Sequence, residues 1–108
     1  MKRGDIYMVS LNPALGHEQQ GHRPVVIISA TAFNAATKLP VVVPITNGGN
    51  FARRMGFAVE LQGTKTTGIV RCDQLRVLDV IERGGRKIES LPEDLLAEVM
   101  AKVATLFE

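Results

Sequence analysis

The chain is expected to fold as a mainly β protein with helices: a small, strongly curved antiparallel sheet covered by one C-terminal α-helix. Three features predict this. Short apolar or alternating runs recur along the chain, glycine-bearing turns separate them, and only the last segment changes to an apolar repeat of three and four residues.

The elements follow in order. Asp5 to Leu11 alternates, with Ile6, Met8 and Ser10 on one side and Tyr7, Val9 and Leu11 on the other, which is the pattern of a strand. Pro24 to Ser29 is apolar and β-branched almost throughout, so it reads as a strand buried on both faces. Thr31 to Ala36, opened by a threonine able to cap, predicts one or two helical turns. Pro40 to Thr46 is strand again, and Pro44, which cannot donate to a ladder, predicts a bulge or a sheet edge there. Asn47-Gly48-Gly49-Asn50 is a loop. Phe57 to Leu61 resumes the strand pattern, Gln62 to Lys65 turns the chain, and strands follow over Thr67 to Cys72 and Val77 to Ile81. Arg83-Gly84-Gly85-Arg86 reads as a hairpin tip. Finally, Leu91, Leu95, Leu96, Val99, Met100, Val103, Leu106 and Phe107 form one helical stripe, with Ser90 and Glu93 as a capping box and Pro92 in the first turn.

A length of 108 residues predicts one domain, residues 1–108, large enough for a real core. With 45% apolar and 22% charged residues the chain is not a disordered tail, and no apolar run approaches the ~20 residues of a membrane span. The start moves directly into a strand pattern rather than a signal peptide, and a single cysteine suits a reducing cytoplasm. Thirteen basic and eleven acidic residues leave a net charge of +2, too mild to mark a nucleic-acid binder by itself. Distribution matters more: Arg53, Arg54, Lys65, Arg71, Arg76, Arg83, Arg86 and Lys87 gather in the middle and later third, whereas Glu89, Glu93, Asp94 and Glu98 mark the final helix. A local positive surface for phosphates is the expectation, weighed against ordinary solvated arginines.

Two segments carry chemistry. In Thr66-Thr67-Gly68-Ile69-Val70-Arg71-Cys72-Asp73, strand alternation puts Thr67, Ile69, Arg71 and Asp73 on one face, with Arg71 and Asp73 roughly 7 Å apart along the strand. Both could touch one phosphodiester; the ordinary alternative is an exposed salt bridge. The loop from Asn12 to Pro24 concentrates His17, Glu18 and His22 between two apolar runs. No metal-ligand spacing links His17, His22 and Cys72, so neither a metal nor another cofactor is expected. Imidazole, carboxylate and fixed cation together are the parts of metal-free phosphodiester cleavage.

The residues also carry a resemblance. Gly16-His17-Glu18-Gln19-Gln20-Gly21 with Arg23-Pro24, then Pro44-Ile45-Thr46, then Gly48-Gly49-Asn50-Phe51-Ala52-Arg53, then Thr66 to Gln74 make the chain similar to the MazF/PemK (Kid) family of toxin endoribonucleases over nearly its whole length. That resemblance implies an SH3-like barrel with added helices (the CcdB/Kid/PemK-like toxin fold), a twofold homodimer, and sequence-specific, ribosome-independent cleavage of single-stranded RNA to 2′,3′-cyclic phosphate and 5′-hydroxyl ends. It assigns Asp73 as general base, Arg71 as general acid and transition-state contact, and His17 as a stabiliser of the phosphorane. From pKa alone a guanidinium is a poor proton donor and imidazole a better one, so the acid stays open between Arg71 and His17. Substitutions in this trio are expected to be severe in rate and nearly silent in folding.

By the same resemblance Thr46, Asn47, Met55, Phe57, Thr67 and Ile69 lie near the scissile step, with Arg83 a candidate phosphate contact and Glu18 a loop-orienting or RNA-accepting group. Phe57 could equally be plain core. Asn47 and Met55 are larger than the family's usual residues, and the turn at 62–65 looks shortened, which bears on base preference rather than catalysis. A small, acidic, partly disordered antitoxin is implied as partner, with operator DNA bound only as the toxin–antitoxin complex and no membrane contact. The rival reading is a non-enzymatic CcdB-like toxin that binds gyrase. Those proteins use a tryptophan-bearing C-terminal tip, and this chain contains no tryptophan.

Overall fold

The computed structural model describes residues 1–12, 21–48 and 50–108, apart from the side chain of Phe51. Among these, the strands are β1 (Asp5–Ser10), β2 (His22–Ile27), β3 (Val41–Thr46), β4 (Ala58–Glu60), β5 (Ile69–Arg71), β6 (Arg76–Val77) and β7 (Arg86–Ser90). The helices are α1 (Thr31–Thr37), α2 (Asn50–Met55) and α3 (Glu93–Ala104), the last followed by a 3₁₀ turn, Thr105–Phe107. All strand pairings are antiparallel, in the order β4-β5-β3-β2-β1-β7, with β6 also beside β3. The expected curved antiparallel sheet with a C-terminal helix is therefore present; its path stays open, ending on β4 and β7.

Period two assigns the core to both faces of the central strands. Val26, Ile28, Val43 and Ile45 join Ile6, Val59, Val70 and Cys72 on the face packed against Leu91, Leu95, Val99 and Val103. Val25, Ile27 and Val42 join Val9, Leu11, Leu78 and Val80 on the other. A strand buried on both faces needs apolar side chains at consecutive positions, which is why this part of the sequence runs apolar without alternation. Each such residue contributes about 1.5–3 kcal/mol over leaving it exposed.

Pro44 is neither at an edge nor solvent-facing. It is buried in β3, paired with Val25 of β2. On its other side β3 pairs with β6 through Val41 and Val42, then with β5 through Ile45 and Thr46. The proline falls in the interval between those two ladders, where a missing N–H costs no bond.

Several other expectations change. The strand expected over Val77–Ile81 is only Arg76–Val77, and residues 83–86 are not a hairpin tip, because β6 pairs with β3 while β7 pairs with β1. The chain instead makes a helical turn, with Arg83 N–H donating to Asp79 O, Gly84 N–H to Ile81 O and Gly85 N–H to Val80 O. A Cβ on Gly85 would lie 2.6 Å from that same Val80 oxygen, so the turn requires glycine there. Residues 86–90 form a strand that sequence periodicity missed, with Glu89 in it rather than on the final helix.

The capping box is also absent. Pro92 is the N-cap of α3, no side chain caps it, and the Ser90 hydroxyl faces the Asp5 carboxylate at 3.2 Å. Likewise Thr31 opens α1 without capping it; the N-cap is Ala30, and the Thr31 hydroxyl accepts from Arg3 N–H. The C-terminal stripe buries through Val103, but Leu106 and Phe107 lie in the 3₁₀ turn at 37% and 73% exposure, so the helix is shorter than the stripe.

Burial pushes the Cys72 thiol up to about 11, with Lys102 opposing and Asp73 and Glu98 adding to the rise. A thiol that stays protonated in the fold but ionises in the unfolded chain makes stability fall as pH rises through the unfolded value, near 8.5. Native protein at pH 8 should resist a thiol-alkylating reagent over hours and react at once in denaturant, as mass spectrometry would record.

Candidate active site

β5 is a three-residue strand buried along its length, held between β4 and β3 by the pairs Ala58↔Arg71, Val59↔Val70 and Ile45↔Val70. The strand ends at Arg71, where Gln74 N–H donates to Arg71 O at 3.1 Å and bends the chain. The bend carries Asp73 back over the guanidinium. Nε of Arg71 donates to Oδ1 of Asp73 at 2.9 Å and Nη2 to Oδ2 at 2.7 Å, a bidentate pair. The two side chains are only 11% and 15% exposed. The hydrogen bonding that Arg71 donates to Asp73 raises the Arg71 pKa, desolvation opposes this, and the charge of Asp73 raises it further. Arg71 is therefore a fixed cation.

This pairing alters one expectation about folding. An ion pair this sheltered leaves a poorly solvated charge when either partner is removed, so substitution at Arg71 or Asp73 will cost stability as well as rate.

At the other end of β5 from the pair lies a polar rim. Thr46, at the end of β3 opposite Ile69, accepts from Gly48 N–H through its hydroxyl at 3.3 Å, and Asn47 is exposed. Gly68 has φ of +120°, and a Cβ there would lie 2.6 Å from Thr46 O and 3.1 Å from Asn47 Oδ1. The 66–68 segment and the Thr46–Asn47 corner are thus pressed together, with Thr67 exposed alongside. Phe57 is half-buried, and its carbonyl accepts from Cys72 N–H at 3.0 Å, which places it next to the arginine. Met55 ends α2, a helix that begins at the last residue of the expected 47–50 loop, and is 55% exposed.

Ile69 does not belong with these residues: it is 0% exposed, so its side chain packs in the interior and offers no surface to a ligand. Strand alternation fails there because β5 is covered on both faces. His17 and Glu18 lie outside the described residues, as does Gly49 of the 47–50 loop.

Arg83 also has a different task from the one expected. Its Nη1 donates to Ser10 O at 3.1 Å and Asn12 O at 2.6 Å, at the neck of the loop that leaves β1. Asn12 Oδ1 accepts from Gly21 N–H at 3.0 Å, and Leu11 N–H donates to Gly21 O at 2.9 Å, completing the tie. Arg83→Gln should therefore lower the melting temperature by several degrees, with amide exchange quickening at Leu11 and Gly21, as calorimetry and NMR would detect.

Half of the basic cluster expected for phosphates is engaged, Arg71 with Asp73, Arg53 with Glu60, Lys87 with Asp5 and Arg83 with carbonyls, and Arg76 is half-buried. Arg54, Lys65 and Arg86 remain exposed. Among the described residues, no group of three or more His, Cys, Asp and Glu could hold a metal ion.

Sequence reading missed Glu89. Its Oε1 accepts from Lys65 N–H at 3.1 Å, and its Oε2 accepts from Thr66 N–H and the Thr66 hydroxyl, each at 2.7 Å. Burial pushes the Glu89 carboxyl up, but the Thr66 and Lys65 hydrogen bonds and the Lys65 charge outweigh it, so the net direction is down. No local signal could have found a partner 23 residues away.

Residues 2–107 match the family described as PemK-like, MazF-like toxin of type II toxin-antitoxin system, and the chain belongs to it. It is 56% identical over 108 residues to Endoribonuclease PemK of Escherichia coli, covering 98% of this chain and 81% of that protein. Crystalline MazF from Deinococcus radiodurans superposes with a TM-score of 0.88 at 30% identity, covering 99% of this chain and 96% of its own. The MazE-MazF crystal structure from the same organism gives 0.83 at 31% identity, with 99% and 95% covered.

Proposed function

We propose that this chain is the toxin of a type II toxin–antitoxin pair and cleaves single-stranded RNA without a metal. The observation that carries the reading is the sheltered Arg71–Asp73 pair at one end of β5, with an exposed rim of Thr46, Asn47 and Thr67 at the other, in a chain whose relatives are named endoribonucleases.

In the reaction the 2′-oxygen attacks phosphorus, the bond to the 5′-oxygen breaks, and the products are a 2′,3′-cyclic phosphate and a 5′-hydroxyl. Asp73 takes the 2′-hydroxyl proton; each of its oxygens accepts one hydrogen bond from Arg71 and keeps a lone pair for this. As the carboxylate is neutralised, the guanidinium loses its counter-charge just as the phosphorane gains negative charge. The donors of Arg71 then serve the phosphoryl oxygens, an interaction stronger in the transition state than in the ground state. Arg71, as a guanidinium, is proposed to stay protonated, and His17 is the group proposed to protonate the leaving oxygen.

Thr46, Asn47, Thr67, Met55 and Phe57 are proposed to read the bases, through polar edges and apolar stacking. Twofold dimerisation would place two such rims on one longer surface, and the partner would be an acidic, partly disordered antitoxin that wraps it. Operator DNA would be met only in that complex. A reducing cytoplasm is the proposed location.

Purified protein incubated with a synthetic RNA in EDTA tests the reading. Scission at defined sequences, with cyclic-phosphate ends absent from an Asp73→Asn control, is expected. Intact RNA together with inhibited gyrase would replace it with the gyrase-binding alternative.

A further inference from the structure

We infer that Glu89 is a positioning residue for RNA recognition, and that it works by fixing the 64–68 segment against the Thr46–Asn47 corner. The inference rests on the reading of Thr46, Asn47 and Thr67 as the base-contacting rim.

The geometry is a short relay. Glu89 belongs to β7, an edge strand whose hydrogen-bonding partner is β1, so its backbone is held independently of the rim. Its carboxylate reaches across to accept three hydrogen bonds from Lys65 and Thr66, and the Thr64 hydroxyl closes the same segment by donating to Thr66 O at 2.6 Å. Immediately beyond, Gly68 abuts Thr46 O and Asn47 Oδ1, and Gly68 O accepts from Leu61 N–H. Residues 61–68 contain no strand or helix. Upstream of Thr67 the contacts to the rest of the fold are the hydrogen bonds to this carboxylate, and downstream they are those of Gly68. Charged acceptors make such bonds stronger than neutral ones.

An extended RNA strand gains affinity from a rim that is already in place, since a loose rim must be ordered at the moment of binding. Glu89 touches neither Arg71 nor Asp73. Its loss should therefore weaken binding and blur base preference while leaving the chemical step largely intact.

The test uses the full chain and a short single-stranded RNA, cleavable for kinetics and 2′-deoxy at the scissile nucleotide for direct binding. Glu89→Ala should raise KM and Kd about tenfold with kcat within roughly threefold of wild type. Glu89→Gln, which keeps the shape but turns an amide N–H toward a backbone donor, should fall between. The Thr66 amide proton should move upfield in both variants by NMR. Should Glu89→Ala prove unstable, Thr66→Val, which removes only the hydroxyl contact, should still raise Kd by a few-fold. Unchanged KM and Kd in folded variants, or a fall in kcat alone, would overturn the assignment while leaving cleavage by wild type as evidence for the endoribonuclease. Wild-type protein that neither binds nor cuts RNA would overturn the RNA reading, and this one with it.

Discussion

Asp73→Asn should reduce RNA cleavage by about a thousandfold while KM changes little, because it removes the group that accepts the 2′-hydroxyl proton and leaves the exposed rim untouched. The same substitution should lower folding stability by roughly 2 kcal/mol. Asparagine is nearly isosteric, but its amide must set an N–H donor against one of the two guanidinium donors that now meet carboxylate oxygens. Arg71→Lys should fare no better in rate, since an ammonium cannot span both oxygens or two phosphoryl oxygens in a plane. A fluorogenic RNA and a thermal melt on each variant check both halves. Cleavage at more than a tenth of the wild-type rate in folded Asp73→Asn would remove this carboxylate from the chemistry.

Gly68→Ala should be the most damaging small change to the fold. The backbone there has positive φ, and the added methyl would meet Thr46 O at 2.6 Å, a backbone atom that cannot swing aside. The end of the β3–β5 ladder at Thr46↔Ile69 would have to part. A cost of roughly 3 kcal/mol or more, seen as a melting point lower by over about 10 °C, is expected, with cleavage falling alongside. Gly63→Ala is the control: φ is also positive, but nothing lies within 4 Å, so only the backbone preference is lost and about 1 kcal/mol is expected. Equal effects at the two glycines would mean that the close approach to Thr46 has no energetic weight.

The parts of this fold that could be read from the chain are those whose cause is local. The stripe through Leu95, Val99 and Val103 buries as its spacing requires, and the consecutive apolar residues of β2 and β3 announce burial on both faces. Arg71 and Asp73 could be paired because they are two residues apart, although it is the bend after Arg71, not strand alternation, that brings them together.

What could not be read depends on distant partners. β7 shows only Ile88 among Arg86, Lys87, Glu89 and Ser90, so it has no apolar alternation; it is a strand because β1 lies beside it. Ser90 fits a capping pattern, yet its hydroxyl faces a buried carboxylate 85 residues away in sequence. Arg83, expected to meet a phosphate, and Glu89, expected on the final helix, differ for the same reason: the carbonyls and amides they hold are 71 and 23 residues away in sequence.

The partner exchange of β3 at Pro44 has a bearing on how such a protein can vary. Because the imino nitrogen cannot bridge the interval, the β4–β5 ribbon and the β6 segment grip the same central strand without being stitched to one another. Length changes at residues 62–64 leave the β6 segment untouched, and Lys65 and Thr66 stay pinned to Glu89 of β7. Evolution is left free to retune what the rim recognises without reshaping β6 or its grip on β3.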